Sequence, residues 1–141
     1  MSEVIKLEYD VPGDDFTRAG EASSDVKAVL KKLGLHSNVV RKVAIAMYEG
    51  EINMVIHGGG GHITVEISPE CITMSLVDHG PGIKDISLAM QEGWSTAPES
   101  VRNLGFGAGM GLPNMKKYSD EMEIQSVVGE GTTVDMKVHV A

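Results

Sequence analysis

The chain has 141 residues, of which 42% are hydrophobic and 23% are charged, and its formal net charge is -8. This length and composition predict one domain, residues 1–141, with a sizeable core. The negative charge argues against a nucleic-acid partner, and no apolar run approaches the roughly 20 residues that span a membrane. Because the start lacks a signal-peptide pattern and Cys71 is the single cysteine, the sequence predicts a cytoplasmic protein.

The first half of the chain is predicted to contain one strand and two helices. Residues 4–10 are β-rich and are followed by a turn. Apolar positions at helical spacing from Asp15 to about Leu33 predict the first helix. Ser37 or Asn38 is typical of an N-cap, and a second helix is predicted over roughly 39–57, ending at a run of glycines.

The second half is predicted to contain two hairpins with helices and a long loop between them. In chain order, the predicted elements are a hairpin of 62–68 and 71–78, a short helix at 85–91, a loop at 92–108, a helix at 111–118, and two strands around the turn at 129–131. The order of elements predicts an α/β (α+β) two-layer sandwich, in which helices cover one face of a mostly antiparallel mixed sheet.

Three polar residues recur at a spacing of four in the second helix: Glu49, Asn53 and His57. This spacing puts them on one face of the helix. An asparagine oxygen suits a hard cation such as Mg²⁺, and a carboxylate one turn away can accept a proton. The alternative is a solvated polar stripe on a surface helix. Glu51 is predicted to point elsewhere, toward solvent.

A second candidate site lies where the strand 71–78 ends. Asp78 is followed by Gly80 and Gly82, in a run that continues to Ile83. Glycines let the backbone close over a flat ligand, and the carboxylate can accept a hydrogen bond from an exocyclic amine such as that of adenine. The alternative is an Asx-type turn after a strand.

Four alternating glycines, Gly105, Gly107, Gly109 and Gly111, precede Leu112 and the predicted helix at 111–118. Backbone N–H groups in such a run, together with a helix N-terminus, favour phosphate binding. A Rossmann fingerprint is excluded because no strand directly precedes the run, and a Walker A motif is excluded because no Gly-Lys-Ser/Thr follows it. The alternative is a flexible hinge.

Taken together, these motifs resemble the GHKL ATPase superfamily, which has the Bergerat ATP-binding fold. The pattern E-x-x-x-N-x-x-x-H is followed by D-x-G-x-G, by G-x-G-x-G-x-G and by G-x-G-T, in that family's order and over nearly the whole chain. The small size and the pair Glu49 and Asn53 resemble the anti-sigma-factor serine/threonine kinases. The segments that begin at Asp78 and at Gly107 are most similar to the stressosome switch kinases.

The resemblance implies a role for each matching residue, with ATP and Mg²⁺ as cofactors. Asn53 would bind Mg²⁺, Glu49 would be the general base, and Asp78 would bind the adenine amine. The other nucleotide contacts implied are Gly80, Gly82, Ile83, Gly105, Gly107, Gly109, Gly111, Leu112, and Thr132 or Thr133. A lid would span about 92–110, and Arg102, Lys116 or Lys117 would supply a cation to the terminal phosphate.

The resemblance implies a kinase that phosphorylates a STAS-domain antagonist and then changes partner, to a sigma factor or a phosphatase. A homodimer is left open. One alternative is a module that sequesters its partner in a nucleotide-dependent way without transferring phosphate. Another is a stand-alone ATPase domain of the histidine-kinase type, although the position of Glu49 is usually not a glutamate in those proteins.

Overall fold

The computed structural model describes residues 4–13, 18–57, 59–83, 90 and 111–140. The helices and strands of these residues are β1 (Ile5–Pro12), α1 (Glu21–Lys32), α2 (Ser37–His57), β2 (Gly60–Ile67), β3 (Cys71–Asp78), α3 (Gly111–Tyr118), β4 (Glu121–Val127) and β5 (Gly131–His139). The predicted helix at 85–91, except for Met90, and the predicted loop at 92–108 lie outside them.

The described strands form one sheet in the order β1-β2-β3-β5-β4, and all neighbouring strands are antiparallel. Along β2, β3 and β5, buried apolar residues alternate with more exposed ones, as a sheet with one covered face requires. The buried set packs against α1, α2 and α3 in a single core. This arrangement confirms the predicted α/β fold with helices on one face of an antiparallel sheet.

The starts of α1 and α2 differ from their predictions. The helix α1 begins at Glu21 because Gly20 has a φ of +98°, a left-handed conformation that precedes the first helical turn. The helix α2 begins at Ser37, so neither Ser37 nor Asn38 is its N-cap. The cap is His36, whose Nδ1 accepts the backbone N–H of Asn38 at 3.1 Å and whose carbonyl accepts that of Val40.

The first hairpin, β2–β3, has the predicted turn, in which the N–H of Ser68 donates to the carbonyl of Cys71 at 2.9 Å. The strand β1 continues to Pro12, beyond the predicted end at residue 10, because its last residues pair with Gly60 and Gly61 at the start of β2. Although α2 has 21 residues, no helix in the described ranges combines the length and apolarity needed to cross a membrane.

Candidate functional site

A recess of about 410 Å³, which includes space open to solvent, lies where α2 and α3 meet the ends of β3 and β5. It is lined by Gly50, Asn53, Met54, Leu76, Asp78, Gly82, Ile83, Met115, Thr132 and Val134. Five of the residues predicted as a site are therefore neighbours in space: Asn53, Asp78, Gly82, Ile83 and Thr132. The lining combines an apolar floor with a few polar groups, as ligand pockets commonly do.

The helix α2 approaches the sheet closely at Gly50. A Cβ added to Gly50 would lie 2.3 Å from Cδ2 of Leu76 and 3.1 Å from Sδ of Met115. A glycine inside a helix costs about 1 kcal/mol relative to alanine. Here that cost is offset by close packing, which brings Asn53, one turn later, to the recess.

The carboxylate of Asp78 is held by two backbone groups. Its Oδ1 accepts the N–H of Gly80 at 3.0 Å and the N–H of Thr132 at 3.2 Å. The bond to Gly80 is the one expected of an Asx turn. Asp78 therefore forms an Asx turn and also lines the recess. Within the described residues, the other oxygen, Oδ2, has no donor.

Two glycines let the segment after β3 lie against the β4–β5 turn. Gly82 has a φ of +81°, and a Cβ there would lie 2.7 Å from the carbonyl oxygen of Val127. A Cβ at Gly131 would lie 2.2 Å from the carbonyl oxygen of Asp78. The N–H of Gly129 also donates to the carbonyl of Pro81 at 2.8 Å. Backbone contacts between the segment at the end of β3 and the β4–β5 turn therefore determine the position of Asp78.

Glu49 lies one helical turn before Asn53 and is half-buried, although it is not among the residues that line the recess. Burial raises the pKa of Glu49, and a hydrogen bond from Asn114 opposes this increase. The donor is Nδ2 of Asn114, on α3, at 3.4 Å from Oε1 of Glu49. Asn114 was not predicted, and only its place in the second turn of the predicted helix 111–118 could have suggested it.

Glu51 contradicts its prediction as a surface residue, because it is only 2% exposed. Its Oε2 accepts the N–H groups of Gly20 at 2.9 Å and Ala22 at 3.1 Å, and its Oε1 accepts that of Ser23 at 2.9 Å. The carboxylate thus caps the start of α1, where unpaired N–H groups and the helix dipole favour negative charge. The sequence signal for this burial was the spacing of four residues that Glu51 shares with the buried Val43, Met47 and Val55.

The remaining predicted residues are outside the recess or outside the described ranges. Gly111 is the first residue of α3, and Leu112 is buried in the core. Lys116 and Lys117 are exposed at the end of α3, and Nζ of Lys117 lies 5.4 Å from the ring centroid of Tyr118. Gly80 contacts Asp78 but does not line the recess. Gly105, Gly107, Gly109, Arg102 and the predicted lid lie outside the described residues.

The family model described as "Histidine kinase-like ATPase domain" matches residues 14–138. An anti-sigma F factor of Thermoanaerobacter sp. (strain X514) is 37% identical over 106 residues, which are 72% of this chain and 71% of that protein. The serine/threonine-protein kinase RsbT of Bacillus subtilis (strain 168) is 33% identical over 110 residues, which are 75% of this chain and 77% of that kinase.

Two solved structures share the fold at 16% sequence identity. One contains the RsbU and RsbW domains of a Mycobacterium tuberculosis protein, with a TM-score of 0.58 over 95% of this chain and 32% of that one. The other is the mycobacterial sensor histidine kinase MprB, with a TM-score of 0.53 over 96% of this chain and 97% of that one. At this identity the two similarities concern the fold alone.

Proposed function

The chain belongs to the histidine kinase-like ATPase family, and from this premise we propose that it is an ATP-dependent protein serine/threonine kinase that acts as a partner-switching regulator. Membership in the family implies ATP binding. The relative at 33% identity, a serine/threonine-protein kinase, supports a protein as the phosphate acceptor. The relative at 37% identity, an anti-sigma F factor, supports a regulatory role.

One observation carries the proposal: Asn53, Asp78 and Thr132, from α2, β3 and β5, line the same recess. The proposed ligand is ATP, with its adenine at Asp78 and its phosphates toward Asn53. Asp78 has one oxygen held by backbone N–H groups, so its second oxygen is the proposed acceptor for the adenine amine. The glycine run at 105–111 is the proposed phosphate cradle.

Asn53 is the proposed protein ligand for Mg²⁺. Its side chain is half-buried in the lining of the recess and carries a neutral amide oxygen, which suits a hard cation. In residues 4–13, 18–57, 59–83, 90 and 111–140, no group of three or more His, Cys, Asp or Glu side chains could hold a metal ion. Because the Asn53 amide is neutral, phosphate oxygens would supply the negative ligands, and the ion would neutralise their charge.

Glu49 is the proposed general base. Burial raises its pKa, which brings its basicity closer to that required for proton transfer near neutral pH. Its carboxylate would accept the proton of a serine or threonine hydroxyl on the partner protein. The hydroxyl oxygen would then bond to the terminal phosphorus as the bond from this phosphorus to the bridging oxygen breaks, and ADP would leave.

The proposed acceptor is a STAS-domain antagonist, and the second partner is a sigma factor or a phosphatase. The name of the anti-sigma F factor supports a role in this kind of regulation. A second candidate function is nucleotide-dependent sequestration of a partner without phosphate transfer. This second function is favoured because Glu49 is not among the described residues that line the recess.

Incubation with γ-labelled ATP, Mg²⁺ and the cognate STAS protein tests the proposal. The wild type should label a serine or threonine of the partner, and Glu49→Gln should reduce the rate by about 100-fold or more. A matched control is Glu66→Gln, because Glu66 is exposed and lies on the face of the sheet opposite the helices. Labelling that survives Glu49→Gln excludes Glu49 as the base.

Calorimetry, compared with the labelling assay, separates the two candidate functions. The wild type should bind ATP with Mg²⁺, and Asp78→Asn should weaken binding by about tenfold or more, whereas Asp135→Asn, an exposed control on β5, should bind like the wild type. ATP binding without transfer to the partner would favour sequestration. Absence of ATP binding by the wild type would reject both functions.

A further inference from the structure

The hydroxyl of Ser126 forms hydrogen bonds to the segment after β3 and to the start of β5, which both border the recess. Ser126 lies on β4 and pairs with Thr132 on β5. Its Oγ lies 2.7 Å from the backbone nitrogen of Ile83, 2.9 Å from Oγ1 of Thr132 and 3.3 Å from the carbonyl oxygen of Gly131. One hydroxyl thus has three polar neighbours, two of which, Ile83 and Thr132, line the recess.

The chemistry of these neighbours determines the direction of each hydrogen bond. A serine hydroxyl has one hydrogen and two lone pairs. The N–H of Ile83 can only donate, so it occupies one lone pair, and the carbonyl of Gly131 can only accept, so it takes the hydrogen. With the hydrogen directed to Gly131, the second lone pair is left for Thr132, and we assign the Thr132 hydroxyl as the donor to Ser126.

With this direction, the side chains of Asp78 and Thr132, which lie together at one edge of the recess, are both acceptors. The hydrogen of the Thr132 hydroxyl is directed to Ser126, so its oxygen can only accept from a ligand. Asp78 is also an acceptor, and its Oδ1 already receives the N–H groups of Gly80 and Thr132. Within the described residues, Oδ2 of Asp78 and Oγ1 of Thr132 are therefore both acceptors that a ligand at this edge can satisfy with its donors.

We propose that Ser126 is a positioning residue that sets the nucleobase preference of the recess. By accepting the hydroxyl hydrogen of Thr132, it keeps the Thr132 side chain from donating to a ligand. A base with an exocyclic amine at this edge, as in adenine, supplies the missing hydrogens. A base with a carbonyl in that place, as in guanine, would leave acceptors facing each other, and such unpaired groups are strongly rejected in a buried site. This inference rests on the proposed nucleotide binding.

Removal of the Ser126 hydroxyl should therefore change selectivity. In Ser126→Ala the Thr132 hydroxyl loses its acceptor and can turn to donate to a guanine carbonyl. The ratio of GTP to ATP affinity, measured by calorimetry with the magnesium complexes and the full chain, should rise by about tenfold or more. Ser126→Thr retains a hydroxyl and should keep the ratio of the wild type.

A double variant separates this effect from loosening of the fold. In Ser126→Ala with Thr132→Val there is no hydroxyl to turn, so the gain in GTP affinity seen for Ser126→Ala alone should disappear. A purely structural role would weaken both nucleotides alike and leave the ratio unchanged. An unchanged ratio in Ser126→Ala, or a gain that persists in the double variant, overturns the proposal.

Two further results keep the test decisive. If thermal unfolding shows that Ser126→Ala is not folded, Ser126→Cys, of similar size but a much weaker hydrogen-bond acceptor, should show the same change in ratio, and an unchanged ratio there also overturns the proposal. A wild type that binds neither nucleotide rejects the proposed function itself. A wild type that binds ATP while Ser126→Ala leaves the ratio unchanged rejects only the role of Ser126.

Discussion

Oε2 of Glu51 accepts the backbone N–H of Gly20 at 2.9 Å, across 31 residues of sequence. Glu49, two residues earlier on the same helix, instead contacts Asn114 on α3. The two carboxylates therefore join α2 to different helices. Glu51 is almost fully buried and holds the start of α1, whereas the half-buried Glu49 lies beside the candidate site.

Glu51→Ala should destabilise the fold, because three N–H groups at the start of α1 would lose their shared acceptor inside the protein. We expect a decrease of roughly 2–4 kcal/mol in the free energy of unfolding, measured with urea. The control Glu66→Ala removes an exposed carboxylate from β2 and should cost much less. Equal effects of the two substitutions would show that the cap does not stabilise the fold.

Glu49→Gln should raise the melting temperature near neutral pH. The pKa of Glu49 is raised from its ordinary value of 4.5, mainly by desolvation, so the folded state holds this proton more tightly than the unfolded state. Stability is therefore lost as pH rises from the ordinary pKa through the raised one, and the charged form carries the full cost above that range.

Glutamine carries no charge, so the stabilisation should be present at about pH 8 and should vanish by about pH 4. Thermal unfolding of the wild type and Glu49→Gln across this range measures it. If Glu49→Gln raises the melting temperature equally at about pH 4 and about pH 8, the increase does not come from the ionisation of Glu49. Loss of phosphate transfer in this stabilised variant would identify Glu49 as a functional residue kept at a cost in stability.

Asn114→Leu should move the rising limb of the pH–rate profile for phosphate transfer to higher pH. The Asn114 amide donates to Glu49 and lowers the pKa of that carboxyl, so its removal should raise this pKa further. Fewer molecules would then have a deprotonated base at any pH on the rising limb. Asn114→Asp, which adds a like charge, should move the limb further in the same direction.

A uniform decrease in rate at every pH would contradict this role of Asn114, because a merely structural contact would not move the limb. ATP affinity should change little in Asn114→Leu, since Asn114 is not among the residues that line the recess. Comparison of the affinity with the pH profile therefore separates an effect on the base from an effect on the pocket.

Gly50→Ala should disturb the recess, although alanine is the better helix former by about 1 kcal/mol. The added methyl group would overlap Cδ2 of Leu76, 2.3 Å away, and overpacking costs typically about 1–3 kcal/mol. We expect a small net loss of stability and weaker ATP binding, because Gly50 and Leu76 both line the recess.

The double variant Gly50→Ala with Leu76→Val tests this explanation, because valine lacks the overlapping carbon. A double-mutant cycle in urea should give a favourable coupling of about 1 kcal/mol. Additive effects of the two substitutions would show that the space beside Leu76 does not explain the glycine.

Local patterns predicted most of the described elements. Strand-like runs and the short turn predicted the hairpin β2–β3. The N-cap candidates and the terminal glycine run predicted α2, and the start Gly-Leu-Pro predicted α3. The starts of α1 and α2 were predicted incorrectly. One depends on the left-handed conformation of Gly20, and the other on the His36 side chain acting as a cap. Neither feature leaves a periodic signal in the sequence.

The sequence by itself determined the order of the elements and the glycine and polar motifs that resemble an ATPase family, because periodicity and turn chemistry are properties of neighbouring residues. The tertiary structure alone decided which residues meet. Asp78 contacts Thr132 across 54 residues because β3 pairs with β5, and Asn114 contacts Glu49 across 65 because α3 packs on α2. The burial of Glu51 and the position of Ser126 depend on the same long-range packing, which no local pattern encodes.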